Sequence, residues 1–122
     1  MKVLVIGAGN MGLTYAEGMS KSKLLKKKNI MVLDKSDEKL EELHQISHFD
    51  AFKELKDCVP KADIIFVAVK PHHSEDLFKQ INPLVGSDQI IISIMAGVTL
   101  EAIKAFSGVK KVIRAMPNLL FL

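Results

Sequence analysis

Apolar residues along the chain fall into short blocks separated by glycine, proline or charged stretches, and the spacing inside the blocks alternates between two kinds. Lys2 to Ile6 is a compact, almost wholly apolar run, as expected of a strand covered on both faces in a parallel sheet. Gly7 to Gly12 interrupts it. From Asn10 to about Lys23, Met11, Leu13, Tyr15, Ala16 and Met19 recur near helical spacing, with Leu24 beyond, which predicts a helix. Ile30 to Leu33 is a second buried strand closed by Asp34. Ser36 then caps a helix with Asp37 and Glu38 in its positively polarised first turn and Leu40 and Leu43 on its inner face. Ile46 to Phe52 keeps no single period and reads as a short edge strand at Ser47 to Phe49, followed by a helix to about Cys58. Asp63 to Val69 is a buried strand stopped by Lys70 and Pro71, since proline neither donates to a ladder nor continues one centrally. Ser74 is expected to cap a helix through about Leu84. Gln89 to Ile94 forms the next strand, and Thr99 caps a helix to about Phe106. Lys111 to Arg114 is a last strand, leading into Ala115, Met116, Pro117 and Asn118.

Strand and helix alternate without a run of hairpin turns. This order predicts a mainly parallel sheet of about six strands with helices on both faces. A chain of 122 residues, 48% hydrophobic and 25% charged, is one globular domain's worth, and it shows no repeat, low-complexity tract or internal linker. The opening apolar run is too short for a secretory signal, and no stretch approaches the roughly 20 apolar residues of a bilayer span, so a cytoplasmic location is expected. Cys58 is the single cysteine, so no internal disulfide can form, and it reads as a structural thiol. The net charge of +3 comes largely from Lys21, Lys23, Lys26, Lys27 and Lys28, where the first helix should end and cations suit its dipole. Neither a nucleic-acid nor a membrane partner is expected.

Gly7-Ala8-Gly9-Asn10-Met11-Gly12 fits G-x-G-x-x-G between a strand and a helix, the context that makes the pattern informative. Gly7 permits the tight turn, Gly9 lets the backbone approach a pyrophosphate, and Gly12 lets the helix lie close to the strand; the pyrophosphate would sit on the free N–H groups of the new helix. The fold class is therefore α/β, a Rossmann-type doubly wound sheet, and the implied ligand is a dinucleotide. Asp34 stands 22 residues after Gly12, at the end of the second strand, where a carboxylate accepts hydrogen bonds from an adenosine ribose. It would repel a 2′-phosphate and so favours NAD over NADP, although Lys35 and Ser36 follow at once and could offer a cation and a hydroxyl to that phosphate. Open α/β sheets bind ligands at the carboxyl ends of their strands, which singles out the region of Asp50 and the exits at Ala68-Val69-Lys70-Pro71, Met95-Ala96-Gly97 and Met116-Pro117-Asn118.

At these exits the sequence resembles the pyrroline-5-carboxylate reductase family. Ile6 to Gly12, Ala68-Val69-Lys70-Pro71, Ser93-Ile94-Met95-Ala96-Gly97-Val98 and Arg114-Ala115-Met116-Pro117-Asn118 carry the resemblance, in order, through essentially all of the chain. It implies reduction of 1-pyrroline-5-carboxylate to L-proline in proline biosynthesis, with hydride passing from NAD(P)H to the ring C=N carbon. Carried over by position, Gly7 to Gly12 and Asp34 to Ser36 should hold the adenosine diphosphate part. Ala68, Val69, Lys70, Pro71, Ala96 and Gly97 should lie along the nicotinamide. Met95 and Asn118 should border the small-molecule substrate. No residue is assigned a catalytic role. The resemblance also implies a helical C-terminal domain that makes a homo-oligomer and completes the substrate site; here Leu119-Leu120-Phe121-Leu122 follows Asn118, so residues 1–122 read as the dinucleotide-binding domain without it. His72 stands where the family often has Gln, and the Asp34-Lys35-Ser36 corner differs from the Asn- or Ser-Arg corner common in NADP-preferring members.

Other residues invite chemistry and are read more plainly. Lys70 could face a carboxylate, but a backbone role for its turn is preferred. His72 and His73 near Glu75 and Asp76 lack the three or four converging ligands of a first-row metal site, so no metal is expected, and His44 and His48 read as surface residues. Two other functions fit the same features: another Rossmann dehydrogenase acting on an imino, keto or hydroxy acid, and a NAD(H)-binding regulatory module without catalysis.

Overall fold

The computed structural model describes residues 1–7, 16–18, 29–33 and 49–115. Strands β1 (Val3–Ile6), β2 (Ile30–Leu33), β3 (Asp50–Phe52), β4 (Ile64–Val67), β5 (Ile90–Ser93) and β6 (Lys111–Arg114) form one sheet in the order β3-β2-β1-β4-β5-β6, and every pair is parallel. This is the Rossmann-type α/β architecture expected from the alternation of elements. β1 and β2 are buried at every position, which is why their sequences are continuous apolar runs instead of alternating ones.

Paired residues of parallel strands point to the same face, so the register divides the core in two. Leu4, Ile6, Ile65, Val67 and Ile91 face α1 (Leu55–Cys58), α2 (Ser74–Ile81) and α3 (Leu100–Ser107), whose Cys58, Phe78, Ile81 and Ile103 complete that layer. Val5, Ile30 and Val32 face the other side, with Ala16 of the helical residues 16–18 and Phe49. The helix expected over residues 10–23 is thus seen at 16–18; its other residues, the helix after Ser36, His44, His48 and the tail at 119–122 lie outside the described residues.

Three boundaries differ from the sequence reading. The edge strand is Asp50–Phe52: of the residues 47–49 expected to form it, Phe49 is buried in the second core cluster outside the ladder and the other two lie outside the described residues, and Asp50 begins the pairing opposite Met31. Ser74 is the first residue of α2, not its cap. A 3-10 turn, Pro71–His73, leads into the helix, and both the Ser74 N–H and its Oγ (2.7 Å) donate to the Pro71 carbonyl. α2 also ends at Ile81, because Pro83 puts Asn82–Leu84 into a 3-10 turn. Thr99 caps α3 as expected, its Oγ1 accepting the Ala102 N–H at 3.1 Å, and Gly108 closes that helix at φ +76.

The sheet edge away from the strand exits is pinned by buried Gln89. Its amide donates to the Val59 and Ala62 carbonyls, both at 2.7 Å, and its Oε1 accepts the Gly86 N–H at 2.7 Å. Among the described residues no helix is long and apolar enough to cross a membrane.

Candidate dinucleotide site

The strand order reverses direction between β1 and β4: from β1 the chain proceeds to β2 on one side, and from β4 to β5 on the other. Connections at such a switch point leave in opposite directions and open a crevice at the carboxyl ends of the two strands. Gly7 stands in that crevice with φ +98. A Cβ on it would lie 2.8 Å from both the carbonyl carbon and oxygen of Ala68 and 3.1 Å from the nitrogen of Val69, all backbone atoms that cannot rotate away. The Ala68 N–H donates to the Ile6 carbonyl at 2.9 Å, so the β1–β4 ladder continues one step past β4 and draws Ala68 against Gly7. Gly7 is therefore required twice, for its conformation and for the approach of the neighbouring exit.

The β4 exit continues through Val69, half-buried against the core, to exposed Lys70 and Pro71. The His73 N–H donates to the Lys70 carbonyl at 2.9 Å, so Lys70 enters the turn through its backbone. At the β5 exit the Ile94 N–H donates to the Val67 carbonyl at 3.2 Å. Met95 then turns its side chain into the core, 4% exposed, and Ala96 and Gly97 emerge at the surface. Gly97 has φ +76 with open space around it, so its glycine serves conformation alone. A groove of about 500 Å³ opens beside Pro71 and Gly97 between α2 and α3, over Phe78, Val98, Ala102 and Phe106.

The structure thus brings together Gly7, Ala68, Val69, Lys70, Pro71, Ala96 and Gly97 along one edge of the sheet. Met95 contributes backbone there, its side chain belonging to the core. Ala8, Gly9, Asn10, Met11, Gly12, Asp34, Lys35, Ser36 and Asn118 lie outside the described residues. Ser93, in the sequence a strand residue and part of one motif of the family resemblance, has a further contact in the structure: its Oγ accepts the Met95 N–H at 3.3 Å. Its signal was a hydroxyl residue two positions before a turn, able to accept a local backbone N–H.

His72 and His73 are exposed, with ring centroids 4.0 Å apart. Among the described residues no group of three or more His, Cys, Asp or Glu is placed to hold a metal. Cys58 is fully buried, and burial pushes its thiol up to about 11 from 9.0. Folding thus favours the protonated thiol; that contribution to stability is complete below pH 9.0 and is lost as pH rises towards 11. A thiol-reactive dye at pH 8 is expected to label Cys58 at least about a hundredfold more slowly in the native chain than in denaturant, because thiolate and access are both suppressed. Equal rates would contradict this burial.

Residues 2–97 match the family described as NADP oxidoreductase, coenzyme F420-dependent. The chain belongs to that family. It is homologous to pyrroline-5-carboxylate reductase along nearly its whole length and corresponds to that enzyme's N-terminal dinucleotide-binding domain, as the motifs at the strand exits implied. The Aquifex aeolicus reductase is 38% identical over 119 residues, covering 97% of this chain and 43% of that protein. The solved structure of a Coxiella burnetii pyrroline-5-carboxylate reductase superposes with a TM-score of 0.87 at 26% identity, covering 96% of this chain and 44% of that one. The Plasmodium falciparum pyrroline carboxylate reductase, solved with NADP bound, shares the fold at a TM-score of 0.82 and 24% identity over 97% of this chain and 42% of its own. The chain of this oxidoreductase family member spans less than half the length of the relatives it matches.

Proposed function

We propose that this chain is the cofactor-binding part of an NAD(P)H-dependent oxidoreductase that reduces 1-pyrroline-5-carboxylate to L-proline. The observation that carries the proposal is the contact of Gly7 with the Ala68 backbone at the β1–β4 switch point, within a chain homologous to reductases of that substrate. The residues fit a dinucleotide. Gly7 presents no side chain at the crevice, and Ala96 and Gly97 leave its β5 side open. When bound, the reduced nicotinamide supplies the hydride for the imine carbon, and the ring nitrogen gains a proton. The chain's own part is to hold the pyrophosphate on the turn after β1, the adenosine ribose on Asp34, and the nicotinamide against the backbone of Ala68–Pro71 and Ala96–Gly97. Asp34 tilts the choice towards NADH, since its carboxylate repels the 2′-phosphate of NADPH. Small-molecule substrates, in the cytoplasm, belong to the same proposal; clustering of the lysine excess within residues 21–28 supports them over a nucleic-acid partner.

Titration with NADH and NADPH by calorimetry, followed by addition of 1-pyrroline-5-carboxylate while absorbance of the reduced cofactor is recorded, tests the proposal. Saturable binding of at least one dinucleotide is expected, tighter for NADH. Binding followed by imine-dependent oxidation would locate a complete reductase in these residues. Binding of neither dinucleotide would overturn the proposal, and a preference for NADPH would overturn the role given to Asp34.

A further inference from the structure

Ser93 ends β5 and is 1% exposed, on the same face of the strand as fully buried Ile91. A hydroxyl facing an apolar core is tolerated only where it is hydrogen-bonded. Its Oγ accepts the N–H of Met95, two residues further on, at 3.3 Å, a local turn at the strand exit. The Ser93 carbonyl accepts the Ala115 N–H at 2.8 Å, so the strand backbone is already held by the chain leaving β6. The side-chain bond is therefore free to shape the exit turn. It accompanies the bend that sends the Met95 side chain into the core and Ala96 and Gly97 out to the crevice edge.

We propose that Ser93 is a positioning residue for the nicotinamide half of the bound dinucleotide, acting through the Met95–Gly97 turn without touching the ligand. The inference rests on the dinucleotide site proposed above. A dinucleotide lying across the switch point has its adenosine on the β2 side of β1 and its other half over β4 and β5. Ser93, on β5, can therefore affect one half and spare the other. A serine that merely stabilised the fold would weaken both halves alike.

The test compares the wild-type chain with Ser93→Ala and Ser93→Thr. Each is titrated with the more tightly bound of NADH and NADPH and with the matching nicotinamide-free fragment, ADP-ribose or 2′-phospho-ADP-ribose, at a temperature where circular dichroism shows all three folded. Ser93→Ala is expected to weaken the dinucleotide about tenfold and the fragment by less than about twofold, the effect of one lost buried hydrogen bond. Ser93→Thr, which keeps the hydroxyl, is expected to return the dinucleotide to within about threefold of wild type. Equal losses for the two ligands, or no loss, would overturn the role of Ser93. Should Ser93→Ala fail to fold, Ser93→Cys, close in size and a weak acceptor, replaces it with the same selective loss expected. A wild-type chain that binds neither ligand would overturn the site itself, an outcome distinct from binding without selectivity.

Discussion

Gly7→Ala is expected to lower stability by roughly 3 kcal/mol and to weaken dinucleotide binding at least about tenfold. Two independent costs combine. A φ of +98 is unfavourable for any residue with a Cβ, and that Cβ would stand 2.8 Å from the carbonyl carbon and oxygen of Ala68. Because those are main-chain atoms tied to Ile6 by the Ala68 N–H, relief requires β1 and β4 to part at their exits, where the ligand is to sit. Thermal unfolding followed by circular dichroism should show a drop in Tm of roughly 10 °C. Calorimetry well below the new Tm should show the affinity loss persisting in folded protein. A variant with unchanged Tm would mean that the two exits do not press together as described.

Phe78→Ala is expected to cost about 4 kcal/mol. Phe78 is fully buried and belongs to the cluster that joins β1, β4 and β5 to α2 and α3, so its removal leaves a cavity within that cluster. Phe78→Leu, which keeps most of the volume, should lose less than half as much. The two substitutions separate stability from binding. Phe78 is a core side chain and no part of the crevice backbone, and Phe78→Ala protein held well under its Tm should retain dinucleotide affinity within about threefold, whereas Gly7→Ala should not. Denaturant titrations with parallel binding curves would decide it; a tenfold loss of affinity in folded Phe78→Ala would show that the cluster, and not the crevice backbone, sets the site.

Much of this architecture is legible in the sequence because parallel strands covered on both faces must be continuously apolar. Ile30–Leu33 coincides with its predicted bounds, and β1, β4 and β5 lie within theirs. Lys111–Arg114 also coincides, although it is an exposed edge strand with charged ends, because its two central β-branched residues still mark it. The edge strand was misplaced because Asp50-Ala51-Phe52 is short and only half-covered, while buried Phe49 just before it mimics a strand residue. Ser74 has the look of a cap, yet Pro71 had already started a turn, and the Pro71 carbonyl accepts the hydroxyl's hydrogen bond. At the site, the glycine pattern named Gly7 as a turn residue. It could not show that Ala68, 61 residues further along, presses on it, since that contact exists only once β1 and β4 are paired. Ser93 belongs to one of the motifs that carry the family resemblance but showed no role of its own; its bond to Met95 depends on the exit geometry.

The most direct test of a dinucleotide site at the β1–β4 switch point is to follow backbone amide resonances of labelled protein during titration with NADH or NADPH. Saturable shifts concentrated at Gly7, Ala68–Lys70 and Ala96–Gly97, with Val59–Lys61 and Gly86–Gln89 at the opposite edge of the sheet unmoved, are predicted. Shifts confined to that opposite edge, or none at millimolar ligand, would contradict it.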